Sequence, residues 1–266
     1  MTAEKMIPWR VPLGQPALSE EGIHVWVSRL DVAPGVSAVF GASLSEGEQM
    51  RAKQFRFRQH QSRFIAGRGL LRAIVSRYLQ VEPARVEFKY NLHGKPELTR
   101  PFDGSGIHFN LAHSEDLALL AVTKIGPVGI DVERIRVNRD ARELVNWFCS
   151  PRERELFENL AAHEKQLAFF NLWTRKEAFL KATGEGITQL LSQIEVAFRP
   201  GEPARFIAVS GDSEKASRWS VHDLSPASDF AAAVAIQAKN VRLRFGKLNP
   251  NLFGAAACSG ELDLYT

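Results

Sequence analysis

A chain of 266 residues, 45% hydrophobic and 24% charged, is too balanced to be disordered and has room for one large domain or two ordinary ones. Two distant cysteines, Cys149 and Cys258, exclude a disulfide framework, and no apolar run is long enough to span a membrane. The net charge of +4 is modest, and the N-terminus M-T-A-E-K-M-I-P lacks a signal peptide's layout, so a reduced, cytoplasmic setting is expected.

Residues 1–22, rich in Pro and Gly, lead to a predicted strand at His24–Arg29. Ser45 and Glu48 have the spacing of a capping box, which starts a helix. A basic helix follows, broken near Gln59, and runs on from Arg63 to Leu79 with Phe64, Leu71, Ile74, Val75 and Tyr78 as its core stripe. Gly67 and Gly69 inside it call for close packing or an approaching ligand. Arg51, Lys53, Arg56, Arg58, Arg63, Arg68, Arg72 and Arg77 follow one another with no acid between, a basic surface that wants an anionic partner. A short strand at Arg85–Lys89 precedes the turn Asn91–Pro96, where Gly94 and Pro96 hold Lys95 on a stiffened backbone. Ile107–Leu111 and Leu117–Val122 then read as a hairpin with His113 at its tip.

The next strand, Val128–Arg134, reads V-G-I-D-V-E-R. Alternation puts Val128, Ile130 and Val132 on one face and Gly129, Asp131 and Glu133 on the other. Two carboxylates side by side are either a solvated acidic face or a site for a cation, for which Mg²⁺ is suited. Ser150, Pro151 and Glu153 start another helix with a second capping box. A long helix over Glu164–Thr183 carries Glu177 and Lys181 on one face, an ordinary i,i+4 pair or a third oxygen ligand beside a phosphate contact. Gly184-Glu185-Gly186 ends it, and strands are predicted near Ile194–Phe198, Arg205–Val209, Trp219–Asp223 and Phe230–Ile236. The expected organisation is two similar α+β halves, residues 1–125 and 126–238, followed by an irregular tail over 239–266.

These motifs together resemble the 4′-phosphopantetheinyl transferases of the larger, monomeric (Sfp-type) class. The resemblance rests on Gly129-Ile130-Asp131-Val132-Glu133 and, some forty residues on, Trp173-Thr174-Arg175-Lys176-Glu177-Ala178-Phe179-Leu180-Lys181. The Gly94-Lys95-Pro96 turn, the segment Phe109-Asn110-Leu111-Ala112-His113-Ser114 and the helix from Arg63 to Arg68 also match, in order, across residues 45–235. Ala112 departs from the serine often found before the histidine. The resemblance implies an α/β (α+β) pseudo-dimer, each half a small mainly antiparallel sheet packed on a long helix, with the active site in the cleft between. It implies transfer of the phosphopantetheine arm of coenzyme A to a serine of an apo acyl, peptidyl or aryl carrier protein, releasing 3′,5′-ADP, by a monomer with no nucleic-acid or membrane partner. Asp131, Glu133 and Glu177 would bind Mg²⁺, and Glu177 would act as base, directly or through a metal-bound water. Lys181 would steady the pyrophosphate, and Arg51, Arg63, Lys95 and His113 would contact coenzyme A. The competing readings are a nucleic-acid-binding protein using the Arg51–Arg77 stripe, or a non-catalytic coenzyme A-binding protein.

Overall fold

A computed structural model describes residues 18–186 and 189–250. The chain starts with β1 (Gly22–Arg29), α1 (Pro34–Ser43), α2 (Glu46–Lys53) and α3 (Arg58–Leu79). The strands β2 (Phe88–Tyr90), β3 (Pro96–Leu98), β4 (His108–Ser114) and β5 (Leu117–Thr123) complete a first half. The same succession then repeats: β6 (Val128–Arg134), α4 (Ala141–Phe148), α5 (Pro151–Glu158), α6 (Ala162–Thr183), β7 (Ile194–Val196) and β8 (Phe206–Val209). After the short α7 (Ser213–Ser217) come β9 (Ser220–Leu224) and β10 (Phe230–Ile236), and last β11 (Arg242–Lys247). The main sheets are ordered β11-β1-β5-β4 and β6-β10-β9, and both long helices have 22 residues. The chain is thus an α/β fold of two halves with matching topology.

Strand alternation sorts the core into layers. Trp26, Leu120 and Val122 face α3 and pack on Leu70, Leu71 and Ile74. The opposite faces of β1 and β5, with Ile23, Val25, Leu119 and Ala121, meet Val128, Ile130 and Val132 of β6 and Val234 of β10. Ala231, Ala233 and Ala235 of β10 turn the other way, onto Phe169, Leu172 and Phe179 of α6. Helix, sheet, sheet and helix therefore stack in that order, and the face of β6 that bears Gly129, Asp131 and Glu133 is turned toward α6. Alanines on β10 keep that helix close.

The halves share a buried ion pair that the sequence hides. Both capping boxes form, Ser45 with Glu48 and Ser150 with Glu153. Each capping glutamate then takes a cation from the fifteenth residue of its long helix: Arg72 is 2.7 Å from Glu48, and Lys176 is 2.6 Å from Glu153. Arg72 also donates to the carbonyls of Pro83 and Val86, and Lys176 to those of Phe148 and Leu191. All three Lys176 hydrogens are taken, and each of the three Arg72 guanidinium nitrogens has a partner, which is the condition for burying such cations.

Five expectations change. The basic segment breaks after α2, at residues 54–57, rather than near Gln59. It is not wholly surface, since Arg72 is buried and Arg63 is tied to Asp31. The strand expected at Arg85–Lys89 starts at Phe88, after a 3₁₀ turn at Pro83–Arg85. His113 lies inside β4, paired with Ala118, because the reversal sits at Glu115 (φ 52°) and Asp116. Finally, the stretch from Lys239 contains β11, which pairs in parallel with β1 and so rejoins the first half. Residues 251–266 and 1–17, including most of the Pro- and Gly-rich start, lie outside the described residues. Among the described residues, no helix is long and apolar enough to cross a membrane.

Candidate active site

The site begins at Gly129. A Cβ there would stand 2.0 Å from the Ala178 carbonyl oxygen and 2.3 Å from the Ala182 amide nitrogen, so only glycine lets α6 press its backbone on β6. This approach brings Glu177 and Lys181, on the last turns of α6, to the carboxylates two and four residues beyond Gly129. Lys181 does not pair with Glu177 on a solvated helix face; its Nζ is 2.5 Å from Asp131 Oδ1. Asp131 Oδ2 and Glu177 Oε1 are both buried and have no hydrogen-bond partner. Glu133 is held by Ser114, whose hydroxyl donates to its Oε2 at 2.8 Å.

Three carboxylates crowd one another here. Burial, with Asp131 and Glu133 adding to it against the pull of Lys181, pushes the Glu177 carboxyl up to about 7. Burial and the Asp131 charge likewise raise Glu133. Burial works against the Lys181 ammonium, but Asp131, Glu177 and Glu133 outweigh it and hold its pKa above the usual lysine range. Among the described residues no three His, Cys, Asp or Glu side chains already form a metal cage. Yet two orphaned oxygens and a third carboxylate, all oxygen donors, fit a hard divalent cation.

A cavity of about 490 Å³ opens beside them, bounded by α2, α3, β4, α6 and the turn before β3. Six predicted residues reach its wall: Arg51, Arg63, Lys95, His113, Glu177 and Lys181. Asp131 lies behind Lys181. Arg51 and Arg68 stand over the ring of Phe64, at 5.6 and 5.8 Å from its centroid. His113 is exposed at the wall, yet enclosing protein atoms and the charges of Lys181, Arg68 and Arg63 hold its imidazole below the usual range. Arg63 is already engaged, with both Asp31 oxygens at 2.7 and 2.8 Å. Lys95 is engaged too, by backbone carbonyls of the second half.

Residues 127–235 match the model of the 4′-phosphopantetheinyl transferase superfamily, and residues 37–125 match that of the 4′-phosphopantetheinyl transferase N-terminal region. The 4′-phosphopantetheinyl transferase HetI of Nostoc sp. is 44% identical over 219 residues, 82% of this chain and 89% of that protein. The chain belongs to the 4′-phosphopantetheinyl transferase superfamily. The 4′-phosphopantetheinyl transferase psf-1 of Bacillus pumilus is 32% identical over 68% of this chain and 74% of its own length. The 4′-phosphopantetheinyl transferase Sfp of Bacillus subtilis is 28% identical over 59% and 67%. The resemblance carried by these motifs is borne out, and the family is one of enzymes that use coenzyme A. A non-catalytic or nucleic-acid-binding reading is not favoured.

Two residues of the transferase site escaped sequence reasoning. Asn110 accepts a 2.8 Å hydrogen bond from the Ile130 amide, and Ser114 accepts one from the Arg134 amide at 3.1 Å. Side chains of β4 thereby fasten the edge strand β6 on either side of Asp131. Both lie in the Phe109–Ser114 motif, so position in the motif was the available signal. The Lys176 of the W-x-x-K-E run turns away from the cavity into the Glu153 pair, and its neighbour Arg175 bonds Asp223 at 2.6 Å.

Proposed function

We propose that this transferase moves the 4′-phosphopantetheine arm of coenzyme A onto a serine hydroxyl of an apo acyl, peptidyl or aryl carrier protein. The observation that carries the reading is Glu177 Oε1: a buried, unpartnered carboxylate oxygen at the wall of a cavity ringed by Lys181, His113 and Arg51. In the metal-free site burial raises this carboxyl to about 7, and a cation bound beside it would favour the ionised form that takes the proton from a serine hydroxyl. The serine oxygen then bonds to the β-phosphorus of coenzyme A, the bond from that phosphorus to the bridging oxygen breaks, and 3′,5′-ADP leaves with the electron pair. Lys181, kept charged by Asp131, stands where negative charge grows on the leaving phosphate. Asp131, Glu133 and Glu177 would hold Mg²⁺, which when bound neutralises pyrophosphate charge and polarises the attacked phosphorus.

Arg51 and His113 are left to the nucleotide end of coenzyme A, with Arg63 contributing only if Asp31 shares it. A cytoplasmic monomer without nucleic-acid or membrane partners completes the reading. One chain supplies both walls of the cleft, and Arg72 of the basic stripe is buried against Glu48. The test is incubation with coenzyme A, Mg²⁺ and several apo carrier proteins, read by mass spectrometry. A gain of one phosphopantetheine group, lost on chelation, is expected; no gain on any carrier sinks the reading.

A further inference from the structure

A helix ends with backbone carbonyls that have no partner within it, and the carbonyl end attracts cations. In α6 that end lies at one side of the cavity, where Gly184 in the left-handed region (φ 79°) closes the last turn through a hydrogen bond to the Leu180 carbonyl. The next two carbonyls, of Lys181 and Ala182, are met from the other half of the molecule. Lys95 Nζ donates to the carbonyls of Lys181 at 2.5 Å and Ala182 at 3.5 Å, and to that of Val128, the first residue of β6, at 3.1 Å. An ammonium has three hydrogens, and three carbonyls take them. The rest of the turn repeats the connection. Asn91 Nδ2 donates to the Gly184 carbonyl at 3.3 Å, while Asn91 Oδ1 accepts from the His93 and Lys95 amides, each at 2.9 Å, and so shapes the turn itself. His93 lies so close to Gly186 that a Cβ there would stand 2.4 Å from its Nδ1.

We propose that the Asn91–Lys95 turn is a clasp between the two halves, and that Lys95 is a positioning residue rather than a phosphate ligand. Its ammonium ties the last turn of α6 to the start of β6, and so fixes where Lys181 and Glu177 stand beside Asp131. The cation acts on the substrate only through the helix end it holds. For its effect on turnover this rests on the transfer reading above; for its effect on α6 it does not.

Lys95→Met keeps the length of the side chain and removes the donors. Hydrogen–deuterium exchange at the amides of residues 181–184 is expected to quicken at least tenfold while the rest of α6 is unchanged. The kcat for transfer is expected to fall at least tenfold, with the Kd for coenzyme A, measured by calorimetry, within threefold of the parent. Asn91→Ala, which leaves Lys95 in place, gives the same pattern more weakly and serves if Lys95→Met does not fold. Exchange unchanged at 181–184, in whichever variant folds, overturns the clasp, as does a Kd for coenzyme A raised tenfold with kcat preserved. If the parent transfers no phosphopantetheine at all, the transfer reading fails and the exchange measurement still judges the clasp.

Discussion

Gly129 and Ala178 touch so closely that the distance from a would-be Cβ to the Ala178 carbonyl is 2.0 Å. No other relationship decides as much about the site, because Asp131 and Glu177 are brought together by it. Gly129→Ala must push backbone, not a flexible side chain, and is expected to destabilise by about 1–3 kcal/mol. Transfer should fall further than stability accounts for, since the shift acts on the carboxylates directly. Urea unfolding and the carrier-protein mass assay check this together; a variant with parental stability and turnover would mean that α6 can retreat at no cost.

Glu177→Gln keeps the shape of the side chain and removes the base. A drop in kcat of at least about 100-fold is expected, the usual scale for a lost general base. The metal-free protein should lose no stability at pH 8, because burial and the neighbouring carboxylates make the ionised form of Glu177 costly. A raised carboxyl binds its proton more tightly in the folded state, so its penalty grows as pH rises from the ordinary carboxylate range to about 7. The mass assay and melting curves at pH 5 and pH 8 give both readouts. Retention of most of the turnover would move the base elsewhere.

Alternation in V-G-I-D-V-E-R was enough to put Asp131 and Glu133 on one face, because a buried strand leaves only two directions to point. The capping boxes at Ser45 and Ser150 were legible for the same local reason. What lay beyond reach was long-range. Arg72 read as part of a basic surface and Lys176 only as a motif residue, since nothing nearby in sequence names Glu48 or Glu153 as the partner that permits burial. His113 was set at a hairpin tip by the polar run around it, but register, fixed by β5 pairing, moved the reversal to Glu115. The parallel pairing of β11 with β1 joins segments more than two hundred residues apart, which no local pattern encodes. Six of the eight predicted site residues line one cavity, but the sequence could not tell that Lys95 and Arg63 arrive there already bonded.

The Lys176–Glu153 pair is fully enclosed, with side chains 0% and 2% exposed. Lys176→Met strands the Glu153 carboxylate in the core and is expected to cost about 3–5 kcal/mol. Replacing both partners with apolar groups, as in Lys176→Met with Glu153→Leu, should recover part of that loss, though the Val196 amide, which donates to Glu153 Oε1, is then left without its partner. Arg72→Met in the matching position of the first half is expected to behave alike. Denaturant unfolding of the four proteins settles the comparison, and a Lys176→Met protein within about 0.5 kcal/mol of the parent would refute the pairing as a stability element.

His24 sets an acid limit on the fold. It sits on β1 against the Tyr78 hydroxyl, 2.8 Å from its Nδ1, and that hydroxyl also accepts from the Trp26 indole at 2.9 Å. Its Nε2 is buried without a partner, and Arg244 faces it from β11. Burial, with Arg244 adding, pushes the imidazole down to about 4. The unfolded chain, with an ordinary histidine pKa near 6.5, therefore binds more protons than the folded one between those two values. Stability present above about pH 6.5 is lost as pH falls toward 4, by about 2 kcal/mol at pH 5 and about 3 kcal/mol in all. His24→Gln removes the titration, so its stability should change less between pH 8 and pH 5 than that of the parent. Urea midpoints at the two pH values decide it: an equal loss in both proteins would show that His24 titrates normally in the folded state.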